Sequence, residues 1–253
     1  MTSIVEVADL VKVYGKHLRP AVAGVSFSVP EGGTFGIVGE SGSGKTTVAR
    51  MLLGLVEPTS GRISIAGIDA VNPSRAARKE LHRTIQVVFQ DPYSSMNPKL
   101  KIGRILAEGV RRVHPHRDTA AEVERLLDLV GLPTKSAGVF PHELSGGQRQ
   151  RVAIARALAV NPRVLVADEP VSALDVSMRG QVLNLLSTLQ RDLQLTCVFI
   201  SHDLAIVRQF CDEVVVMQGG EIVERGDPTR VMESPEHPYT RRLLDSVLEL
   251  PGR

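Results

Sequence analysis

The stretch from Gly39 to Thr47, Gly-Glu-Ser-Gly-Ser-Gly-Lys-Thr-Thr, constrains this chain more than any other. It follows the apolar run Phe35-Gly36-Ile37-Val38 and precedes Val48-Ala49-Arg50-Met51-Leu52-Leu53, which has a helical pattern. Glycines at 39, 42 and 44 let the backbone turn tightly and aim its N–H groups inward, so a strand hands over to a helix N-terminus ringed by donors. Lys45 adds a full positive charge, and Thr46 opens the helix with a hydroxyl suited to Mg²⁺. The whole fits G-x-x-x-x-G-K-[ST] in a strand-loop-helix setting. A chain built this way is expected to hold a nucleoside triphosphate with Mg²⁺.

With 253 residues the chain can bury a large core, as one domain with an inserted subdomain or as two smaller ones. Lys and Arg total 30 against 28 Asp and Glu, so no global basic field exists to hold nucleic acid or an anionic membrane. With no tryptophan and few aromatics, base-stacking platforms are not expected either. No apolar run approaches the length of a membrane span, and Met1-Thr2-Ser3-Ile4 lacks the pattern of a signal peptide, so a cytosolic location is expected. The two cysteines, Cys197 in a strand-like run and Cys211 at a helix end, form no Cys-x-x-Cys pair and are expected to be free, buried thiols.

Ahead of the glycine loop, Val5-Glu6-Val7, Val11-Lys12-Val13 and Val25-to-Val29 read as short antiparallel strands. Tyr14 stands at the end of one of them, either as a flat surface for a base or as a rim tyrosine. Beyond the loop, Arg62-to-Ala66 alternates as a strand, and Thr84-to-Phe89 reads as a buried strand ending on Gln90-Asp91-Pro92. Gln90 is either a ligand-facing amide or an ordinary loop residue. From Leu100 onward the periods turn helical: Ile102/Ile105/Leu106, then Val123/Leu126/Leu127/Val130, then Val152/Ala155/Leu158. The basic loop Arg111-to-Arg117, with His114 and His116 flanking a proline, reads as solvated surface.

Leu144-Ser145-Gly146-Gly147-Gln148 opens a helix running to Ala159, and its small residues again form an anion site at a helix N-terminus. The first such site already takes the nucleotide, so the second must meet another ligand or another subunit. Val164-Leu165-Val166-Ala167 then ends on Asp168 and Glu169, the form of a buried parallel strand presenting carboxylates. Asp168 suits Mg²⁺, and Glu169 suits the orienting and deprotonation of a water. A helix from about Met178 to Leu193 follows, then a last core strand from Cys197 to Ile200 that delivers Ser201-His202-Asp203. His202 is read as a γ-phosphate contact. A hairpin at Gly219-Gly220 and two short helices with proline in their first turns close the chain.

The ordered set Tyr14, Gly39 to Thr47, Gln90, Leu144 to Gln148, Asp168-Glu169, Ser172 to Asp175 and His202 resembles the nucleotide-binding cassette of ABC transporters, and it spans nearly the whole chain. The resemblance implies an α/β fold. It would have a P-loop NTPase (RecA-like) core at 1–91 and 161–225, with an N-terminal antiparallel β subdomain. A helical subdomain at 92–160 and a C-terminal helical extension at 226–253 would complete it. It also implies ATP and Mg²⁺ as cofactors. Tyr14 would stack the adenine, and Gly39, Ser41, Gly42, Ser43, Gly44, Lys45, Thr46 and Thr47 would hold the phosphates. Thr46, Gln90 and Asp168 would serve Mg²⁺, Glu169 would act as base, and His202 would clamp the γ-phosphate. Ser145, Gly146, Gly147 and Gln148 would reach the ATP of a second cassette, with Asp175 at the subunit contact.

Phe89-to-Pro98, Glu169-to-Ser177 and Ser234-to-Thr240 further resemble the dipeptide, oligopeptide and nickel importer branch. That resemblance implies an ATPase on the cytoplasmic face of the inner membrane, working with two permease subunits, a second cassette and, indirectly, an extracytoplasmic substrate-binding protein. Met217-Gln218-Gly219-Gly220 departs from the pattern of peptide members, the chain ends at Arg253, and the clustered cysteines of some relatives are missing. Nickel or metal-chelate uptake therefore stands beside peptide uptake. Two other classes are a soluble ABC ATPase acting on DNA or the ribosome, which would carry paired cassettes or a coiled-coil insertion, and a small P-loop kinase, which would need a lid instead of Leu144-to-Gln148.

Overall fold

Apolar runs and capping side chains set where each element begins and ends. The computed structural model describes residues 2–15, 19–93, 95–113 and 115–248. In chain order it holds β1 (Ser3–Lys12), β2 (Val22–Pro30), β3 (Thr34–Val38), α1 (Lys45–Leu52), β4 (Ser60–Ile65), β5 (Ile68–Asp69), α2 (Arg75–Thr84) and β6 (Ile85–Val88). There follow α3 (Ile102–Val113), α4 (Thr119–Leu129), two 3-10 turns (Thr134–Gly138 and Pro141–Glu143), α5 (Gly146–Leu158), β7 (Val164–Asp168), α6 (Val176–Asp192) and β8 (Thr196–Ser201). The last elements are α7 (Leu204–Phe210), β9 (Glu213–Gln218), β10 (Glu221–Gly226), α8 (Pro228–Glu233) and α9 (Pro238–Leu248). His114 of the basic loop, Ser94 of the Phe89-to-Pro98 stretch and residues 249–253 of the C-terminal extension lie outside the described residues.

The chain divides into two compact units, one made of residues up to His82 and from Leu195 onward, the other of Arg83–Gln194. In the first unit an antiparallel sheet runs in the order β2-β1-β4-β5. The expected pair of short strands at Val5-Glu6-Val7 and Val11-Lys12-Val13 is a single ten-residue strand. Asp9 joins them: at φ 49 it absorbs a register shift between Val7 and Leu10, and its N–H donates to Ser26 Oγ at 2.8 Å. The same unit holds β10-β9-β3-β8, where β3 pairs in parallel with both β9 and β8 and β10 forms an antiparallel edge. Every residue of β3 and β8 is buried, as continuous apolar runs require in strands covered on both faces. Phe27 of β2 stacks on Phe35 of β3 with ring centroids 4.9 Å apart, tying the antiparallel sheet to the parallel one. On the other face α7 lies against β3 and β8, with Phe210 tilted over Phe199 at 4.9 Å.

In the second unit β6 and β7 pair in parallel from Ile85↔Val164 to Val88↔Ala167. The three expected helical periods become α3, α4 and α5, which pack on one another through Ile102, Leu106, Val123, Leu127 and Val152 among others. Here α6 starts at Val176, before the expected Met178, because Asp175 caps it: its carboxylate accepts from Met178 N–H at 2.9 Å. The helix α2 had no counterpart in the sequence reading. Its Arg-Ala-Ala-Arg-Lys-Glu-Leu-His-Arg-Thr is mostly polar, with Leu81 and Thr84 buried and Ala77 half-buried, and good helix formers such as Ala, Arg, Lys and Glu fill most of the exposed positions. Among the described residues no helix is long and apolar enough to cross a membrane.

Gly36 shows how closely α7 approaches the parallel strands. A Cβ there would stand 2.5 Å from Val207 Cγ1 and 3.3 Å from Cys211 Sγ. Gly36→Ala is therefore expected to force α7 off β3 and to lower stability by about 1–3 kcal/mol, the range for overpacking. Urea unfolding followed by circular dichroism checks this, and an unchanged midpoint would show that α7 yields without cost.

Candidate functional site

In the first unit β3 ends at Val38 and the chain turns at once into the glycine loop. Gly39 sits at φ 155 and Gly44 at φ 110, and an added Cβ would stand 2.2 Å from Met217 O at the first and 2.5 Å from Ala21 O at the second. Only glycine fits both. The Gly44 cap leaves α1 with no side-chain cap, unlike α4, α5, α6, α7 and α8, and no acid stands in its first turn. Lys45, 5% exposed, turns back under the loop, where its Nζ donates to Gly39 O at 2.6 Å, Glu40 O at 2.8 Å and Ser43 Oγ at 3.4 Å. Ser41, Gly42 and Thr46 are exposed, Thr47 half-buried and Ser43 buried. This is a concave backbone turn with a cation in its floor and a helix N-terminus at its rim, built to receive a multiply charged anion.

Two further residues of this unit were expected at the site. Because β3 and β8 run in parallel with Val38 opposite Ser201, the loop and His202 leave the same end of the sheet. Ser201 Oγ accepts from Asp203 N–H at 2.9 Å and Asp203 caps α7, which fixes the backbone on either side of the exposed His202. Tyr14 is 54% exposed beyond β1, and the Lys12 ammonium lies 5.2 Å from its ring centroid.

In the second unit β6 and β7 end side by side, with Val88 opposite Ala167, so Gln90 and the acids leave the same end of the sheet. All five residues of β7 are buried, and Asp168 is 8% exposed. Glu169, half-buried, takes φ 50, a left-handed conformation uncommon outside glycine. Its carbonyl accepts from Ser172 N–H at 3.3 Å and from Ser172 Oγ at 3.0 Å, which holds the turn. Such local strain at a strand tip is a common mark of a working residue. Gln90 is exposed, but the loop it opens is held by α5. Gln150 Nε2 donates to Phe89 O at 3.5 Å, Arg156 Nη1 donates to Ser95 O, and the Arg149 guanidinium lies 5.7 Å from the Tyr93 ring centroid.

The same helix begins at the Ser145 motif. Ser145 Oγ accepts from Gln148 N–H at 3.3 Å, and Gln148 Oε1 accepts from Ser145 N–H at 3.0 Å. This capping box satisfies two donors that the sequence reading had left open for an outside anion. A Cβ at Gly147 would stand 1.9 Å from Met178 Cε of α6, so a larger residue there would have to push the flexible methionine aside. Asp175 accepts from Ser177 Oγ at 2.7 Å as well as from Met178 N–H, and those bonds, the Ser177 one foremost, hold its carboxyl below the ordinary range.

Both cysteines are free and buried, as expected. Burial, with the charge of Asp212 behind it, pushes Cys197 up to about 12, and burial pushes Cys211 up as well, so neither forms a thiolate near neutrality. The sequence reading missed several residues that support the loop. Gly220 N–H donates to Ser43 O at 3.0 Å, and Tyr239 of α9 reaches Glu40. Local pattern could not find them, although Gly220 and Tyr239 both fall in stretches singled out for other reasons.

A glycine loop with a buried lysine after a parallel strand, together with an apolar strand ending in two acids, defines a nucleoside triphosphatase of the P-loop class. A family model described as "ABC transporter" matches residues 22–172. A peptide import ATP-binding protein of Brucella abortus (strain 2308) is 48% identical over 257 residues, covering 97% of this chain and 77% of the relative. The glutathione import ATP-binding protein GsiA of Escherichia coli (strain K12) is 52% identical over 232 residues, covering 90% of this chain and 37% of the relative. A dimeric ATP-binding cassette in a post-hydrolysis state, bound to ADP and phosphate, superposes with a TM-score of 0.79 at 29% identity, over 88% of this chain and 98% of that one. A member of the cbiONQ ABC transporter complex of Clostridium perfringens gives 0.83 at 29% identity, over 99% of this chain and 97% of that one. This chain belongs to the ABC transporter family. Its activity is ATP hydrolysis coupled to transport.

Gly39→Ala tests the cradle. The methyl group would strike the Met217 carbonyl, a backbone atom that cannot swing away, so the loop must open. ATP affinity is expected to fall at least about tenfold, since a misplaced loop loses several charge-assisted N–H contacts. Fluorescent-nucleotide titration measures it, and wild-type affinity would show that the loop tolerates the shift.

Proposed function

We propose that this chain is the ATP-hydrolysing cassette of an importer for di- and oligopeptides. The observation that carries the catalytic part is the tip of β7, where a wholly buried strand ends on Asp168 and the chain turns at Glu169 through φ 50. In this reading Glu169 orients the attacking water and takes its proton. Lys45 and the backbone from Gly39 to Thr47, with the Ser41 and Ser43 hydroxyls, bind the phosphates. His202 contacts the γ-phosphate, and Tyr14 carries the adenine on its exposed ring.

Thr46, Asp168 and Gln90 offer only oxygen donors of the hard kind Mg²⁺ prefers, and few of them, which suits an ion that keeps much of its shell for water and phosphate. Bound there, Mg²⁺ would supply charge neutralisation to the phosphates. Among the described residues no group of three or more His, Cys, Asp or Glu side chains gathers as an all-protein metal cage.

The cargo assignment is supported by relatives about half identical over nearly the whole chain and named for peptide and glutathione import. In the Met217-to-Gly220 stretch Met217 and Gly220 are buried against the glycine loop, while Gln218 is half-buried and Gly219 exposed. The partners in this reading are two permease subunits at the cytoplasmic face of the inner membrane, with Gln90 at their contact. A second cassette and an extracytoplasmic substrate-binding protein complete the assembly, and nucleic acid has no part in it.

Replacing Glu169 by Gln keeps size and hydrogen bonding but removes the base. ATP should still bind, while steady-state phosphate release should fall by roughly 10²–10⁴. Release near the wild-type rate would exclude Glu169 from that role.

In the same reading Ser145 to Gln148 and Asp175 act on the ATP of the opposite cassette, so ATP binding appears as association. The Glu169→Gln protein should sediment as a dimer with Mg·ATP and as a monomer without it, alone or with its sister cassette added. Adding Ser145→Arg should abolish the dimer while ATP still binds the monomer. An ATP-dependent dimer that survives the double substitution would exclude the shared site.

A further inference from the structure

The Ser234-to-Thr240 stretch, singled out in the sequence but given no task by ATP hydrolysis, lies against the phosphate loop. Tyr239 stands in the first turn of α9 and is 3% exposed. Its hydroxyl accepts from the Glu40 backbone N–H at 2.8 Å, across 199 positions of sequence. The carbonyl of the same Glu40 accepts from the Lys45 ammonium at 2.8 Å. One residue of the loop is thus held on its N–H side by the C-terminal helix and on its carbonyl side by the phosphate-binding lysine.

The start of α9 is itself fixed. The two carboxylate oxygens of Glu224 on β10 accept from Glu236 N–H at 2.9 Å and from His237 N–H at 3.0 Å. His237 Nδ1 accepts from Tyr239 N–H at 3.2 Å, and Arg241 Nε donates to Pro235 O at 3.0 Å. Burial also pushes the Tyr239 phenol up from its ordinary value, so the hydroxyl keeps its proton through the physiological range. A surface helix docked only by apolar contact would need none of these bonds.

We propose that Tyr239 is a positioning residue for ATP binding, its hydroxyl fixing the Gly39–Glu40 peptide and, through the Gly39 carbonyl of that peptide and the adjoining Glu40 carbonyl, the place of the Lys45 ammonium. The C-terminal helix thereby sets how tightly the cassette takes the nucleotide. The proposal rests on the reading that the Gly39-to-Thr47 loop binds the ATP phosphates. A loop held in place before the ligand arrives loses less freedom on binding, so the effect belongs to affinity. An interaction made equally before and during reaction moves KM and leaves kcat alone.

The test uses the full chain with Tyr239→Phe, which removes one oxygen and keeps the ring. Fluorescent-nucleotide titration and ATPase rates against Mg·ATP concentration should show Kd and KM raised roughly three- to tenfold, the worth of one neutral hydrogen bond. The kcat should stay within about twofold of wild type. A purely structural tyrosine would lower the melting temperature and leave the Kd of the folded protein unchanged, and that result overturns the proposal. Lys45→Ala, run alongside, separates the premises: if it too binds ATP like wild type, the loop reading fails and not only the latch. Should Tyr239→Phe not fold, Glu224→Gln loosens the start of α9 with Tyr239 intact. It is expected to raise KM in the same direction, and an unchanged KM there overturns the proposal equally.

Discussion

A buried ammonium is the constraint on which the phosphate cradle depends. Lys45 is almost inaccessible, and a charge taken out of water costs several kcal/mol unless its protons find acceptors. The acceptors at the loop are backbone carbonyls of Gly39 and Glu40, which converge on the lysine because the chain turns sharply between a parallel strand and a helix. That turn in turn needs glycine at 39 and 44, where the carbonyls of Met217 and Ala21 leave no space for a side chain. Strand β9, the residues before β2 and the β9–β10 hairpin are therefore walls of the cradle as much as β3 is.

Helix capping sets α1 apart from five other helices. Asp118, Ser145, Asp175, Asp203 and Asp227 each place a side-chain oxygen on the first backbone donors of α4, α5, α6, α7 and α8. The Gly44 cap of α1 supplies none. An uncapped N-terminus beside a lysine keeps its donors and its positive dipole end for a ligand. The start of α5 is capped yet carries the Ser145 motif, and the two facts agree. A hydroxyl that accepts a hydrogen bond retains its own proton, so Ser145 can serve Gln148 and still donate outward.

Much of this was legible because it is local. Apolar runs ending in polar residues fixed β3, β7 and β8 and named Gly39, Asp168, Glu169 and His202 as residues at strand ends. The Ser145 motif was legible as a helix start, but the capping box that closes two of its donors was not read from the sequence. What could not be read is non-local or compensated. Asp9 converts two short runs into one strand only because Ser26 meets its N–H. The helix α2 buries only Leu81 and Thr84, with Ala77 half-buried, too thin a stripe in a mostly polar run to reveal it. The contact between Tyr239 and Glu40 joins opposite ends of the sequence through a buried phenol, and nothing in either neighbourhood encodes the partner.

The stretch Met217 to Gly220 shows how a segment can carry a structural task that its sequence does not announce. Read as sequence, it cast doubt on the cargo, because peptide cassettes resembled by the rest of the chain differ there. In the fold the segment ends β9 and turns into β10 against the loop. Gly220 N–H closes on Ser43 O at 3.0 Å, and Gly220 O accepts from Ala23 N–H at 2.8 Å. A Cβ at Gly220 would stand 3.1 Å from the carbonyls of both Pro20 and Ala21, and one at Gly44 would stand 3.2 Å from Met217 Cε. Met217 and Gly220, so placed, act on the shape of the phosphate loop. Their task is tied to nucleotide handling, the step this subunit performs, whereas Gln218 between them is half-buried and Gly219 is exposed, so the same four-residue stretch presents both a wall to the loop and a face to solvent.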